Sequence, residues 1–327
     1  MTRRIGIDNY GLLPLGLAPL DTLRWAVEHG AGGVAFSGLP PEQRGALDGA
    51  VLKDLAQFAR GHDLYLEWGG AQHIPRDMTT WARKDLFAVN RRAAEEAAAL
   101  GVRVVRSCSG GLMRWSSASP PTETLIEETA EALLPQRTML RDHGVVLAIE
   151  THFEFTSFEL VRLFERCEAA PGDWLGICLD TMNLLTMIED PVGAARRLLP
   201  WIVSTHIKDG GARVDEQGLT TFSAPIGDGV IDLAGILALL DSLAAGVDLS
   251  IEDHGGSFQV PIYDPLFLTR FPDLTPEELA RVIEIAQLSS AAPACRPLGR
   301  DDWPRVCEER MARDIVRLRA ITQPVQP

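Results

Sequence analysis

The segment WIVSTHIKDGG, residues 201–211, contains a short apolar and β-branched run that ends on His206, Lys208 and Asp209. Such a run predicts a buried strand. Buried strands are apolar along their length, so titratable residues at the end of this one indicate a functional site there. Side chains alternate along a strand, which puts His206 and Lys208 on the same face.

Seven other segments have the same character, and together they give eight predicted strands: 4–10, 33–37, 64–68, 102–108, 145–152, 175–181, 202–208 and 248–254. Between them lie patterns with apolar residues three and four apart, which predict helices at 20–29, 52–60, 81–100, 122–141, 157–167, 193–199 and 233–245. Eight such units in about 250 residues predict an α/β fold, a single (β/α)8 TIM barrel. The chain has no Gly-x-Gly-x-x-Gly turn, which argues against a dinucleotide-binding doubly wound sheet.

After the eighth predicted strand there is no further strand–helix unit. A helical pattern at 275–289 is followed by a linker rich in Pro, Ala and Cys at 290–299 and by an amphipathic run at 303–321. We predict a catalytic barrel domain over 1–289 and a C-terminal extension over 290–327, with one helix that packs on the barrel or on a neighbouring subunit. Such an extension is compatible with a homo-oligomer, either a dimer or a tetramer.

The composition excludes several classes of partner. With 45 acidic and 31 basic residues the formal net charge is −14, which repels a nucleic-acid backbone, so we expect no nucleic-acid partner. Five cysteines without CxxC spacing suit a reducing cytoplasm better than a disulfide framework. Asp8, Asn9 and two prolines interrupt the apolar N-terminal stretch, so we expect no membrane segment.

Four consecutive predicted strands end on polar side chains. In chain order these are Glu150 and His152, then Asp180 with Asn183 just beyond it, then His206 and Lys208, then Glu252 and His254. The carboxyl ends of barrel strands meet at one mouth, where converging carboxylates repel one another unless a cation lies between them. Three oxygens and one nitrogen, from Glu150, Asp180, His206 and Glu252, therefore predict a site for a divalent metal.

This donor set suits Mn²⁺ best, with Mg²⁺ and Co²⁺ as alternatives and Zn²⁺ less favoured because thiolates are absent. Asn183 and Asp209 are candidates for holding the metal ligands in place. Lys208 shares the face of His206, so its ammonium is expected to hold a substrate oxygen. The candidate substrate-binding residues are Glu67, Arg106, Trp115 as part of a lid, His152, Asn183 and His254.

Five short motifs lie in register along the second half of the chain: AIETH (148–152), GICLDTMN (176–183), THIKDGG (205–211), PIGDGVID (225–232) and LSIED (249–253). With them the sequence resembles the xylose isomerase-like TIM barrels, specifically the sugar phosphate isomerase/epimerase superfamily of ketose 3-epimerases, hydroxypyruvate isomerases and inosose dehydratases. The resemblance implies Glu150, Asp180, His206 and Glu252 as metal ligands. It also implies that the two glutamates move the proton.

The chain departs from the family pattern at two places. Asn183 stands where many members have a histidine, three residues after the aspartate of the sixth strand. The tri-zinc abasic-site endonucleases of this fold also carry an Asp-x-His pair, and none occurs between Lys208 and Val247. Both differences disfavour a metallo-hydrolase or nuclease, and the first leaves the substrate geometry of the ketose epimerases open.

A single metal beside carboxylates, without a nucleophile motif or a cofactor fingerprint, suits removal of a proton next to a carbonyl. We expect an isomerase or epimerase that acts on a small carbohydrate, a sugar or keto-polyol, through a metal-bound enediolate. The candidate catalytic residues are Glu150, Glu252 and Lys208. A dehydratase or lyase that starts with the same proton removal is the alternative, because His-x-Lys-Asp is similar to the inosose dehydratase and hydroxypyruvate isomerase branches. A barrel that only binds a ligand is less favoured.

Overall fold

The computed structural model describes residues 3–322 and contains a closed barrel of eight parallel strands. The barrel strands are β1 (Ile5–Asp8), β2 (Gly33–Phe36), β3 (Tyr65–Ala71), β4 (Val104–Ser107), β5 (Val146–Glu150), β6 (Leu175–Asp180), β7 (Ile202–Ile207) and β10 (Leu249–Ile251). They pair in chain order, and β10 pairs with both β7 and β1 to close the barrel. This confirms the predicted (β/α)8 TIM barrel and all eight of its strands. Seven of them are shorter than predicted, whereas β3 extends three residues beyond the predicted end at residue 68.

A second, antiparallel sheet was not predicted. Its strands are β8 (Asp209–Asp215), β9 (Gly218–Ala224) and β11 (Ser257–Val260), in the order β11-β9-β8. Only Lys208 separates β7 from β8, so the chain passes directly from the barrel into this small sheet. A tight turn connects β8 to β9, and Gly218 there has a φ of +132°, a conformation that side chains strongly disfavour.

Helices surround the barrel and fill the loops at its mouth. They are α1 (Pro19–Glu28), α2 (Pro41–Gly45), α3 (Gly49–Gly61), α4 (Phe87–Leu100), α5 (Thr122–Leu133), α6 (Arg137–Asp142), α7 (Ser157–Arg166), α8 (Asn183–Thr186), α9 (Pro191–Leu198), α10 (Leu233–Asp241), α11 (Pro265–Leu268), α12 (Pro276–Ala291) and α13 (Trp303–Thr322). Short 3-10 turns occur at Asn9–Leu15, Met113–Trp115, Leu134–Gln136 and Leu199–Trp201.

Two predicted helices differ from the observed ones. The helix predicted over 81–100 begins only at Phe87, because the preceding residues form a loop in which Asp77 accepts hydrogen bonds from the backbone of Thr79 and Thr80. The helix predicted over 122–141 is divided into α5 and α6 by a 3-10 turn that contains Pro135, whose missing N–H interrupts α-helical hydrogen bonding.

The C-terminal helix α13 packs on the barrel of its own chain. It lies against β1, β10 and the 3-10 turn at Asn9–Leu15, and the indole of Trp25 in α1 donates a 2.9 Å hydrogen bond to Glu308. Arg310 of α13 forms a buried ion pair with Asp253, with distances of 2.5 and 2.6 Å. The division of the chain at residue 289 stays a prediction. Among residues 3–322, no helix combines the length and the apolar character that a membrane crossing requires.

Candidate metal centre

The four predicted metal ligands converge at the carboxyl end of the barrel. Glu150 ends β5, Asp180 ends β6, His206 lies near the end of β7, and Glu252 directly follows β10. Neighbouring parallel strands pair Asp180 with His206, so their side chains leave the sheet at the same level. All four residues are buried, and one ligand atom of each lies within 4.8 Å of those of the other three.

Two cations of the protein also reach this cluster. The ammonium of Lys208 lies 2.9 Å from Asp180 Oδ2 and 2.7 Å from Glu252 Oε2. The guanidinium of Arg106 pairs with Glu150. The expectation that a metal ion alone balances the charge of these carboxylates is wrong, because lysine and arginine side chains neutralise part of the negative charge.

Burial and neighbouring charges act against each other on the two glutamates. Burial raises the pKa of Glu150, but Arg106 and His206 lower it more, and the result lies well below the usual value. Burial also raises the pKa of Glu252, but Lys208 and the same histidine lower it well below normal. Both glutamates are therefore ionised at neutral pH, as metal ligands must be.

Two buried oxygens of the cluster are left without hydrogen bonds. Asp180 Oδ1 accepts from the backbone N–H groups of Met182 and Asn183 at 2.9 and 2.8 Å, whereas Asp180 Oδ2 accepts none. Glu252 Oε2 also lacks a hydrogen bond of acceptable angle. The ammonium of Lys208 nevertheless lies close to Asp180 Oδ2 and to Glu252 Oε2. Both oxygens are thus paired in charge with Lys208 but have lone pairs left over, and together with an imidazole they fit a hard or borderline divalent cation.

Asp8, at the end of β1, orients His206. The Nε2 atom of His206 lies 3.3 Å from Asp8 Oδ2, and its Nδ1 atom lies 3.3 Å from Glu150 Oε1 and 3.2 Å from Glu252 Oε2. Burial lowers the pKa of His206, but Cys178, Glu150 and Glu252 raise it well above its usual value, so Nδ1 carries a proton and donates to Glu150. A metal ion at Nδ1 would replace that proton, and Asp8 beside Nε2 favours keeping the other proton there. Sequence reasoning missed Asp8, although the first strand, IGID, ends on a carboxylate like the later ones.

A cavity of about 1170 Å³ opens over the cluster. Of the predicted substrate-binding and catalytic residues, it is lined by Arg106, Glu150, His152, Asn183, Lys208, Glu252 and His254. The rest of its wall includes Tyr10, Phe153, Phe258 and the segment 297–300 just before α13. The sequence analysis assigned none of these latter residues to the site.

Three predicted residues lie elsewhere. Trp115 does not line the cavity, because its indole donates a 2.7 Å hydrogen bond to the carbonyl of Gln259 and its ring packs on Phe267. Glu67 lies inside the barrel, where it accepts a 2.5 Å hydrogen bond from Ser204 and burial raises its pKa to about 7. Asp209 contacts no predicted ligand; its carboxylate accepts from backbone N–H groups of the 227–231 loop.

His254 is a neutral partner of Lys208. Its Nε2 atom lies 3.3 Å from the ammonium of Lys208, and its Nδ1 atom lies 3.0 Å from the carbonyl oxygen of Gly255. Burial and Lys208 together lower its pKa to about 4. The imidazole therefore donates to Gly255 and accepts from the ammonium, which fixes one of the directions in which Lys208 can donate.

His152 belongs to a second polar group on the cavity wall. One ligand atom each from Cys108, His152 and Glu154 lies within 4.8 Å of the others. Burial lowers the pKa of His152, but Cys108 and Glu154 raise it well above its usual value. Glu154 is held by the backbone N–H groups of Gly110 and Gly111 at 2.6 and 2.7 Å. Neither Cys108 nor Glu154 was predicted, since neither lies on a recognisable motif.

The sequence of this chain matches a family model over residues 23–303, most of its length, and that family is described as the xylose isomerase-like TIM barrel. The chain belongs to this family. The resemblance inferred from the five short motifs is thus confirmed.

Two curated relatives match parts of the chain. A 3-oxo-isoapionate decarboxylase of Pectobacterium atrosepticum is 26% identical over 243 residues, which cover 70% of this chain and 77% of the relative. The uncharacterized protein YihM of Escherichia coli strain K12 is 28% identical over 137 residues. That match covers 42% of this chain and spans only 40% of the length of YihM.

Solved structures with the same barrel include an L-ribulose 3-epimerase, with a TM-score of 0.58, 20% identity and 100% of both chains covered. The probable 3-DHS dehydratase AsbF of Bacillus anthracis gives a TM-score of 0.59 and 15% identity, with 77% of this chain and 93% of that chain covered. At these identities the likeness shows the fold. Three of these four relatives and neighbours carry the name of an activity: an epimerase, a probable dehydratase and a decarboxylase.

Proposed function

We propose that this protein is a divalent-metal-dependent isomerase or epimerase that removes a proton next to the carbonyl of a sugar or keto-polyol. One observation carries the proposal: Glu150, Asp180, His206 and Glu252 face each other beside a cavity large enough for a sugar. These four residues would hold the ion, with Mn²⁺ as our first choice and Mg²⁺, Co²⁺ or Zn²⁺ as alternatives. When bound, it would polarise the substrate carbonyl.

The remaining steps are assigned to side chains of this chain. Glu150 and Glu252 come from strands on different sides of the cluster, which suits one carboxylate for taking a proton and the other for returning it. Lys208 would donate a hydrogen bond to a substrate oxygen, and His152, Asn183 and other polar groups of the wall would bind hydroxyl groups. All five cysteines are free, which supports the proposed reducing, cytoplasmic location.

A lyase is the second candidate, because of the position of Lys208. Its ammonium lies among Asp180, Glu252 and His254, at the centre of the predicted site. A buried ammonium at this place suits a hydrogen bond to a departing hydroxyl group, or stabilisation of the negative charge that elimination or decarboxylation leaves on an oxygen. The decarboxylase among the curated relatives adds weight to this candidate.

The test is proton exchange and metal content. Protein loaded with Mn²⁺ is incubated with keto-sugars and keto-polyols in D2O, and deuterium incorporation and products are followed by NMR. We expect incorporation that stops in strong chelator and in Glu150→Gln or Glu252→Gln, while the exposed-residue control Glu165→Gln keeps it. Release of water or CO2 would identify the lyase. Full activity of metal-free protein in chelator would refute the proposal.

A further inference from the structure

Arg300 lines the cavity from the segment that precedes α13, although this residue is exposed at the mouth. One of its terminal nitrogens donates a 3.0 Å hydrogen bond to the carbonyl of Gly255, and the other donates to the hydroxyl of Tyr10. Its guanidinium lies over the ring of Trp303, 4.7 Å from the centroid. These contacts fix the guanidinium in one orientation while part of it still faces the cavity.

This arginine differs from the other two fixed cations of the cavity. Arg106 pairs with Glu150, and Lys208 lies between two carboxylates. Within the part of the chain that the structure describes, Arg300 forms no ion pair with any carboxylate. The nearby Asp302 instead approaches Arg305, at 3.4 Å. Fixed guanidinium groups without a counter-charge are characteristic anion-binding groups, since they present several donors in one plane.

The charge balance of the site leads to the same conclusion. Four carboxylates form its inner part: Asp8, Glu150, Asp180 and Glu252. Arg106, Lys208 and the divalent cation of the proposed function supply an equal positive charge. The pair of His152 with Glu154 is neutral overall. Among the charged groups that line the cavity or contact the cluster, Arg300 therefore remains without a counter-charge, and a ligand with one negative charge would balance it.

The position of Arg300 also suits a small substrate. A series of contacts joins it to the metal cluster: 3.0 Å to the carbonyl of Gly255, 3.0 Å from there to His254, and 3.3 Å from His254 to Lys208. The guanidinium and the ammonium thus line one cavity, and the contacts between them pass through Gly255 and His254. A ligand that extends from the metal cluster along this cavity would direct its far end toward Arg300.

We propose that Arg300 binds a carboxylate of the substrate, so that this enzyme acts on acidic sugars, such as oxidised sugar acids, rather than on neutral ketoses. The inference rests on the proposed function, because it uses the charge of the metal. A carboxylate is favoured over a phosphate, since one negative charge matches the one unpaired cation and a phosphate monoester carries nearly two at neutral pH.

Isothermal titration calorimetry on the Mn²⁺-loaded full chain tests this, with D-ribonate, ribitol and ribitol 5-phosphate as probes of equal carbon number. We expect D-ribonate to bind at least about tenfold more tightly than ribitol, as one charge-assisted contact provides. Arg300→Gln should reduce this preference to about threefold or less while the affinity for ribitol stays constant. The matched control is Arg296→Gln, an exposed arginine outside the cavity wall that should keep the wild-type preference.

Three results would overturn the inference: equal affinity for D-ribonate and ribitol, tighter binding of the phosphate than of D-ribonate, or an unchanged preference in Arg300→Gln. The last result would mean that the carboxylate binds the metal itself. Failure of the proposed function has a different signature. The protein could prefer D-ribonate to ribitol through Arg300 and yet show no deuterium exchange with any keto substrate. That result would refute the proposed function and still support the anion site at Arg300.

Discussion

The ammonium nitrogen of Lys208 lies 2.7 Å from Glu252 Oε2, so a cation of the protein contacts one of the four candidate metal ligands. Thr181 fixes the lysine backbone: its hydroxyl donates to the carbonyl of Lys208 at 2.6 Å and accepts from its N–H at 2.8 Å. Burial lowers the pKa of this lysine, but Asp180 and Glu252 raise it well above the usual range. A permanently charged, fixed donor is the result.

Replacing Lys208 separates its chemical role from metal binding. In Lys208→Met we expect turnover to fall by about 10² to 10⁴, because a charged donor to the substrate oxygen is lost. Metal content should stay at the wild-type level or rise, since a competing cation has left Asp180. Turnover and metal content are measured on the same sample, with Lys53→Met on the exposed face of α3 as the control. Loss of the metal in Lys208→Met would contradict this assignment.

Asp8 is expected to set the metal affinity through His206. In Asp8→Asn the imidazole loses the carboxylate beside its Nε2 atom, and we expect metal affinity to fall by about 10- to 100-fold. Competition with a fluorescent chelator measures the affinity. Asp48→Asn is the control, because Asp48 accepts from the backbone N–H groups of Ala50 and Val51 at the exposed start of α3. Unchanged affinity in Asp8→Asn would show that His206 needs no orienting carboxylate.

Asp314 in α13 predicts a pH dependence of stability. It is fully buried, and burial together with Asp253 raises its pKa to about 8. Its pKa in the unfolded chain is about 3.9, so the folded state binds the proton more tightly than the unfolded state does. Proton binding therefore stabilises the folded state fully below about pH 4, and this stabilisation is lost as the pH rises to about 8. In Asp314→Asn we expect a smaller decrease of Tm between pH 5 and pH 8 than in the wild type.

The comparison between the two proteins removes the contribution of all other titrating groups, because only Asp314 differs. Thermal unfolding is followed by circular dichroism at several pH values in one buffer series. Parallel Tm curves for both proteins would mean that this carboxyl has no raised pKa.

Cys108 should be the first cysteine to react with alkylating reagents. It is partly exposed on the cavity wall, whereas the other four cysteines are buried. We expect iodoacetamide to modify Cys108 slowly, because burial raises the pKa of its thiol, and to abolish activity by filling the cavity. Peptide mass mapping identifies the modified residue. Cys108→Ser should resist inactivation, and faster modification of Cys295 would contradict the prediction.

The barrel and the four candidate ligands were predictable because both depend on local patterns. Short apolar runs give the strands, and the rule that strand ends meet at one mouth brings together side chains far apart in sequence. Asp8 obeys the same rule, but a single aspartate at the end of a strand carries no signal without its partner His206. The pairing of Arg106 and Lys208 with the carboxylates depends on side-chain reach, which the sequence alone does not reveal.

Other features escaped prediction because long-range packing decides them. The strand β9 pairs with β8 and also with β11, which begins more than thirty residues further along the chain. The segment 297–300 reaches the cavity only because α13 anchors it against β1 and β10. Trp115 is an aromatic residue in a loop, and it was predicted to bind the substrate as part of a lid. It packs against Phe267 of α11 instead.

The single-residue connection between β7 and β8 restricts how this protein can change by insertion or deletion. Side chains alternate along both strands, so one added residue between Ile207 and Asp209 would turn every side chain of one strand to the opposite face. Length variation during divergence should therefore be confined to distant turns, such as the one between β8 and β9. At the joint itself, only exchanges that preserve chain length would be tolerated.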